Sequence, residues 1–355
     1  MNPSVFHPTG RSHWLALALW MVISSLTATR VLAQTTKQDN SSSQSVRMSL
    51  SDNSLRSDNK NNGADADKFN GESAYQILKE ICNIGPRVSG SSGMQKQQSM
   101  IRKHFESLNA EITEQPFTVR HPENGSQVIM TNLIARFHPE RRKRLLFCCH
   151  YDTRPFADRD PVNPQGIFLG ANDGASGVGL LCELARHAQE MPGKYGIDFV
   201  FFDGEEFVYV YRRDPMFLGS TYFAQQYAAR RYKGKVNYAI LVDMIADREL
   251  EIFYEGNSLQ MASRLTRSIW SVANELGVKE FKTKERHKIR DDHLPLNSIA
   301  RIPTCDIIDF DYPRVGSENQ YWHTQQDIPE NCSAESMEKV GRVLLEWLRQ
   351  IQKIR

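Results

Sequence analysis

Residues 197–206 read IDFVFFDGEE, a short apolar run that ends in three acids within four positions. Nearly continuous apolar runs of this length are typical of strands that are covered on both faces in a parallel or mixed sheet. Open α/β sheets place their functional residues just beyond the carboxyl ends of such strands. The stretch therefore predicts a buried strand with a candidate site at Glu205 and Glu206.

Three further runs have the same character, and segments with apolar residues at helical spacing separate them. The runs are 144–149, 238–244 and 302–308, and the helical segments between and after them are 177–189, 220–229 and 258–276. Helical patterns at 72–81 and 94–108 and extended ones at 113–119 and 128–137 come earlier, and an amphipathic helix at 336–351 comes last. This alternation predicts an α/β fold, a three-layer α/β/α sandwich with a mixed, largely parallel central sheet.

The composition is that of an ordinary globular protein. Of 355 residues, 40% are hydrophobic and 10% aromatic, which is enough for one catalytic domain over residues 71–355. Removing residues 1–33 takes away Arg11 and Arg30 and no acid, so 44 basic residues become 42 against 42 acidic ones. A formally neutral chain gives no indication of a nucleic-acid partner.

The first 70 residues differ from the rest. Arg11 precedes an apolar run at 14–28, and the small residues before Gln34 are typical of a signal peptide over 1–33, cleaved after Ala33. The run is short for a membrane span, although an uncleaved anchor stays open. Residues 34–70 are polar and are expected to form a disordered linker. We therefore expect an exported monomer, periplasmic or extracellular, without a stable membrane span after cleavage.

Residues that can bind a metal stand at or near the strand ends in one ordered series. They are His150, Asp152, Asp173, Glu205, Glu206, Asp243, Asp291, Asp292, His293 and His323. A divalent cation needs ligands brought together from distant points of the chain, as this series would do. The small residues at 174–177 would let a helix begin close to a ligand. The series predicts a metal site of the zinc type.

Each candidate also has a simpler structural interpretation. Asp173 could be a helix N-cap, and Asp291–Asp292 could cap the segment that follows them. The Glu205–Glu206 pair, taken alone, is more often a solvated turn, and His323 alone is as often a hydrogen-bonded loop histidine. The six cysteines form no CxxC motif, so buried thiols are expected for most of them.

The motifs resemble those of the co-catalytic zinc aminopeptidase superfamily and, within it, those of animal-type glutaminyl-peptide cyclotransferases (glutaminyl cyclases) and their bacterial relatives. The resemblance extends from about Ser73 to the C-terminus. It rests on Cys149-His150-Tyr151-Asp152, Gly170-Ala171-Asn172-Asp173-Gly174-Ala175-Ser176-Gly177, Phe201-Phe202-Asp203-Gly204-Glu205-Glu206, Leu241-Val242-Asp243-Met244, Asp291-Asp292-His293 and Trp322-His323-Thr324.

The resemblance implies one Zn²⁺ held by Asp173, Glu206 and His323, with the fourth position left for water or substrate. Glu205 would then be the general acid/base. The implied reaction converts the N-terminal glutamine of a peptide or protein to pyroglutamate and releases ammonia.

The resemblance also assigns the substrate side of the site. Asp243 and Asp291 match acidic partners that orient the amine and the amide, and Trp322 matches an aromatic pocket wall. Tyr211 stands where cyclases typically present a pocket tryptophan, and it could still line the pocket. The animal-type disulfide would join Cys149 to the position of Val178, so it cannot form in this chain.

Two other functions stay open. Related aminopeptidases bind two zinc ions, which here would add His150 and Asp243 as ligands, with Asp173 bridging and Glu205 activating water for peptide hydrolysis. The third class is an inactive relative that binds metal and recognises peptides, or a domain in which zinc is structural. Glu205 argues against this third class, because a closed structural site has no use for an extra acid.

Overall fold

The computed structural model of the protein describes residues 68–318 and 320–353. The expected signal peptide and most of the expected linker lie outside these residues. The folded part begins before residue 71, because Phe69 is only 3% exposed and the Asn70 side chain accepts a hydrogen bond from the Ser73 amide, 2.9 Å away. None of the described helices is long and apolar enough to cross a membrane.

The described elements alternate much as the apolar pattern predicts. The strands are β1 (Glu111–Arg120), β2 (Gln127–Phe137), β3 (Lys143–His150), β4 (Tyr195–Phe202), β5 (Lys235–Asp243), β6 (Ile252–Glu255), β7 (Phe281–Arg286) and β8 (Thr304–Ile308). The α-helices are α1 (Gly71–Cys82), α2 (Ser92–Ser107), α3 (Ser176–Ala185), α4 (Leu218–Ala228), α5 (Gly256–Glu275), α6 (His293–Ser298) and α7 (Ala334–Lys353).

Six of the strands form one sheet in the order β1-β2-β4-β3-β5-β8. Strands β4, β3, β5 and β8 run parallel, whereas β1 and β2 pair antiparallel at one edge. The inner strand β4 is buried along its whole length, as expected for a strand covered on both faces. The predicted mixed, largely parallel sheet is confirmed.

Helices cover both faces of this sheet. Alternate residues of β3 face opposite sides: Phe147 and Cys149 join the larger core with α1, α2, α3, α5 and α7, whereas Leu146 and Cys148 join the smaller core with α4 and α6. The three-layer α/β/α sandwich is therefore confirmed. All six cysteines are buried and free, so the protein has no disulfide at Cys149.

Two glycines allow α3 to start directly against the sheet. A Cβ at Gly177 would lie 2.7 Å from the Cβ of Cys149 and 2.9 Å from the carbonyl oxygen of Val242. Gly174 has φ +100°, a conformation that residues with side chains rarely adopt, and its Cβ would meet the His150 ring at 3.1 Å. The small residues at 174–177 thus bring the start of the helix close to the ends of β3 and β5.

Some elements have no clear signal in the sequence. Strands β6 and β7 form a separate parallel pair, and the turn at Ala171–Ala175 is a distorted π-helical segment. Asp173 is not the N-cap of α3, because Ala175 stands there. Asp292 does stand at the N-cap of α6, but its side chain makes no capping hydrogen bond. Asp173 and Asp292 are thus available for other contacts.

A buried ion pair joins neighbouring strands of the sheet. Arg144 on β3 and Asp198 on β4 are 1% and 0% exposed, and their side chains make two hydrogen bonds of 2.5 and 2.9 Å. Arg144 also donates to the backbone carbonyls of Phe137 and His138, and the Tyr232 hydroxyl donates to Asp198. The guanidinium is therefore fully paired at the amino edge of the sheet, far from the strand ends that carry the candidate site.

We predict that Asp198→Ala lowers the free energy of unfolding by about 3–5 kcal/mol, because it leaves the Arg144 charge buried without its partner. Urea unfolding measures this loss. The control is Glu114→Ala, which breaks the solvent-exposed pair with Arg102 and should cost less than about 1 kcal/mol. Equal losses in the two variants would contradict this account of the pair.

Candidate metal centre and active site

The predicted site residues meet at the carboxyl edge of the parallel strands. His150 ends β3, Asp243 ends β5, and Glu205 and Glu206 follow β4 by three and four positions. Because these three strands are parallel neighbours, their ends lie side by side. Asp173 lies in the π-helical turn, and His323 lies in the long loop after β8.

Asp173, Glu206 and His323 form a compact set of metal-binding atoms, all within 4.8 Å of one another. His323 Nε2 lies 3.0 Å from Glu206 Oε1 and 3.3 Å from Asp173 Oδ2. All three residues are buried, and Asp173 Oδ2 accepts no hydrogen bond from any described residue. A buried carboxylate oxygen without a hydrogen bond is costly, and a cation would remove that cost. Two carboxylates and one imidazole are a donor set that zinc prefers, so the residues fit this ion.

A second set of atoms shares Asp173. His150 Nε2 lies 3.1 Å from Asp173 Oδ1 and 3.3 Å from Asp243 Oδ1, and these atoms too lie within 4.8 Å of one another. The two carboxylate oxygens of Asp173 therefore face different histidines, His150 and His323. This geometry is compatible with one metal ion or with two.

The adjacent acids Glu205 and Glu206 have opposite electrostatic surroundings. Burial alone would raise the pKa of Glu206, but the charges of Arg154 and His323 outweigh it and hold this pKa well below its usual value. Burial and the nearby charge of Glu206 raise the pKa of Glu205 well above its usual value, against an opposing effect of His150. Glu206 is thus a stable anion, whereas Glu205 binds a proton readily.

The Glu205 carboxylate is also unpaired among the described residues. It makes no hydrogen bond to any residue in the described ranges, although the Glu205 and Glu206 amides both donate to Asp152, at 3.2 and 3.0 Å. Asp152 therefore fixes the backbone of the acidic pair. The side chain of Glu205 remains available for a molecule in the cavity.

Several supporting residues were not recognised in the sequence. Arg154 binds Glu206 Oε2 at 2.5 Å, and Asp158 lies 3.5 Å from Nδ1 of His323. Asp327 accepts hydrogen bonds from the amides of Asn172 and Asp173 and so holds the π-helical turn. Arg154 and Asp158 follow His150 closely in the loop after β3, and this position was the signal that could have revealed them.

A third buried group lies behind the site. Atoms of Asp291, His293 and Asp306 are within 4.8 Å of one another, and His293 Nε2 lies 3.3 Å from Glu255 Oε2. Asp306 is inside strand β8, in a run that looks apolar in the sequence. Asp291 is the only member of this group that lines the cavity described next.

A cavity of about 280 Å³ opens over the site. Of the residues given a role as metal ligand, catalytic group or pocket wall, all but His150 line it: Asp173, Glu205, Glu206, Tyr211, Asp243, Asp291, Trp322 and His323. The Trp322 ring lies 4.1 Å from the His323 ring and 4.9 Å from the Phe310 ring, centroid to centroid. Tyr211 is 47% exposed. The acids thus lie in a cavity with an aromatic wall.

Comparison with known proteins shows that the chain matches the model of one protein family. The model of "Peptidase family M28" matches residues 132–348. The glutaminyl-peptide cyclotransferase of Bothrops jararaca is 26% identical over 291 residues, which are 73% of this chain and 75% of that protein. The same-named protein of Drosophila melanogaster is 24% identical and covers 68% of this chain and 70% of its own length.

Solved structures agree with this assignment. The glutaminyl cyclase of Fimbriiglobus ruber is 38% identical with a TM-score of 0.74, and the match covers 79% of this chain and 95% of that one. A leucine aminopeptidase precursor from Bacteroides thetaiotaomicron is 31% identical with a TM-score of 0.72, covering 79% and 97%. The family model spans more than half of the sequence, and the chain belongs to peptidase family M28.

Proposed function

We propose that this protein is a zinc-dependent glutaminyl-peptide cyclotransferase, an acyltransferase that converts an N-terminal glutamine to pyroglutamate and releases ammonia. The observation that carries the proposal is the free Glu205 carboxylate, which lines the cavity beside the three candidate metal ligands. The curated relatives named as glutaminyl-peptide cyclotransferases and the solved glutaminyl cyclases support the same activity.

The reaction needs little besides alignment and proton transfer. The α-amine of the glutamine attacks its own γ-carbonyl carbon, a new C–N bond forms, the bond to the amide nitrogen breaks, and ammonia leaves. No water is consumed. Because nucleophile and electrophile belong to one molecule, holding them in the reactive geometry supplies much of the acceleration.

Each site residue has a proposed part in this reaction. Asp173, Glu206 and His323 would hold one zinc ion, which when bound supplies Lewis-acid polarisation of the γ-carbonyl. Glu205 accepts the proton that the α-amine loses and donates it to the departing amide nitrogen. The opposite surroundings of the two acids support this division, in which Glu206 binds the metal and Glu205 transfers the proton.

The remaining residues would orient the substrate. Asp243 and Asp291 line the cavity as hydrogen-bond acceptors for the amine and the amide. Trp322 and Tyr211 would form the wall of the pocket that holds the glutamine side chain. The substrates are accordingly the N-termini of peptides or proteins. We also propose, from the apolar segment at 14–28, that the protein is exported to the periplasm or the medium and acts there as a monomer.

A second candidate function has one observation in its favour. The set of His150, Asp173 and Asp243 could hold a second zinc ion, as in an aminopeptidase, and the leucine aminopeptidase precursor has a similar fold. We favour cyclisation because its nucleophile is the substrate's own amine, so a second metal ion is not needed. In the one-metal site, His150 instead keeps its contact with Asp243, 3.3 Å away.

We predict that Glu205→Gln lowers turnover of a Gln-peptide by at least about 100-fold, because general acid/base catalysis is lost. Zinc content and melting temperature should stay at the level of the unchanged protein, since Gln keeps the size of the side chain. Steady-state ammonia release, metal analysis and thermal unfolding measure these quantities. Glu190→Gln, an exposed position outside the cavity, is the matched control. Unchanged turnover in Glu205→Gln would remove Glu205 from the mechanism.

We predict that peptides beginning with Gln yield pyroglutamyl peptide and ammonia, whereas peptides beginning with Leu are not cleaved. Mass spectrometry of reactions in heavy-oxygen water separates the two functions, because cyclisation incorporates no solvent oxygen and hydrolysis does. Release of free Leu or Gln that carries heavy oxygen would establish the aminopeptidase activity instead.

A further inference from the structure

Three basic side chains at the mouth of the cavity have no acidic partner within residues 68–318 and 320–353. Arg159, Lys288 and Arg290 line the cavity and are exposed to solvent. None of them makes an ion pair with any residue in the described ranges. Because these three side chains are exposed and make no ion pair with a described residue, their charges can interact with a molecule that enters the cavity.

Three acids outside the cavity lining have basic partners of their own. Asp158 binds Arg154 at 2.7 Å, and Asp311 binds Arg286 at 2.6 Å. Asp214 pairs with its neighbour in sequence, also at 2.7 Å. The acids that do line the cavity all belong to the candidate site: Asp173, Glu205, Glu206, Asp243 and Asp291. The mouth therefore carries an excess of positive charge, whereas the base of the cavity is acidic.

Hydrogen bonds of the backbone fix the segments that carry these three side chains. The Arg159 amide donates to the His323 carbonyl at 3.1 Å, and its guanidinium lies 3.9 Å from the centre of the Trp322 ring. Lys288 and Arg290 flank Ile289, whose amide donates to the buried Glu255 at 2.9 Å. One cation thus lies on the tryptophan wall, and two lie on an anchored segment that leads directly to Asp291.

We propose that Arg159, Lys288 and Arg290 form a subsite for a carboxylate that follows the N-terminal glutamine, so that peptides with Asp or Glu in the second position are preferred substrates. The proposal rests on the proposed cyclotransferase function. A substrate of this kind has an ammonium group followed by a carboxylate, and the cavity has an acidic base followed by a basic mouth. Such complementarity speeds encounter and fixes the direction of binding.

The test compares three tripeptide amides that differ only in the second residue: Gln-Glu-Ala, Gln-Gln-Ala and Gln-Lys-Ala. Exposed charge pairs contribute about 2- to 5-fold each, so we expect kcat/KM for the Glu peptide to exceed that for its neutral isostere by roughly 5-fold and that for the Lys peptide by more. The preference should shrink as salt is raised to about 0.5 M, because exposed charges are screened.

Single substitutions test which of the three basic residues produce the preference for the Glu peptide. Arg159→Gln, Lys288→Gln and Arg290→Gln should each lower kcat/KM for the Glu peptide while leaving that for the Gln-Gln-Ala amide unchanged. The matched control is Lys284→Gln, which removes the same charge from an exposed position on β7 outside the cavity. A loss shared equally by all three peptides, or an equal effect of the control, would overturn the subsite.

One further comparison completes the test. If the carboxylate is a free C-terminus instead of a side chain, the dipeptide Gln-Ala will be preferred over its amide, and the same three variants will remove that preference. Cyclisation of all peptides at equal rates would overturn the subsite and leave the proposed function intact. Cyclisation of none of them would overturn the proposed function, and the subsite with it.

Discussion

The structure depends on how several carboxylates are buried together at one edge of a sheet. Removing a charged carboxylate from water costs several kcal/mol unless a partner compensates for it. The parallel neighbours β3, β4 and β5 end side by side, so the acids that end β5 and follow β3 and β4 lie close together. Glu206 is compensated by Arg154, and Asp243 by His150, whereas Asp173 Oδ2 accepts no hydrogen bond from the described residues and has only the His323 ring 3.3 Å away. A cation at this oxygen completes the compensation.

The same constraint separates the roles of two adjacent acids. Glu206 has Arg154 and His323 beside it and is held as an anion, while Glu205 has the charge of Glu206 beside it and binds a proton readily. Asp152 holds the backbone of both residues, so the difference between them is fixed by the fold. The pair is thereby suited to hold a metal ion with one carboxylate and to transfer a proton with the other.

The sheet and the convergence of the polar residues were predictable because buried parallel strands have a distinctive apolar pattern. Strands β6 and β7 were not, since β6 has four residues and β7 is mostly polar and exposed. Arg154 was missed because its partner Glu206 is 52 positions away, and Asp306 because it lies inside an apolar strand. Pairwise contacts between distant residues leave no periodic signal in a single sequence. The roles assigned to the site residues remain predictions.

The number of bound zinc ions distinguishes a one-metal cyclotransferase site from a two-metal aminopeptidase site, because the sets around His323 and His150 share Asp173 and either could be filled. Crystals of the protein grown with zinc would be measured on both sides of the zinc absorption edge. We expect one anomalous peak, between Asp173, Glu206 and His323, with His150 contacting Asp243 and no metal. A second peak of similar height between His150 and Asp243, or no peak near His323, would contradict it.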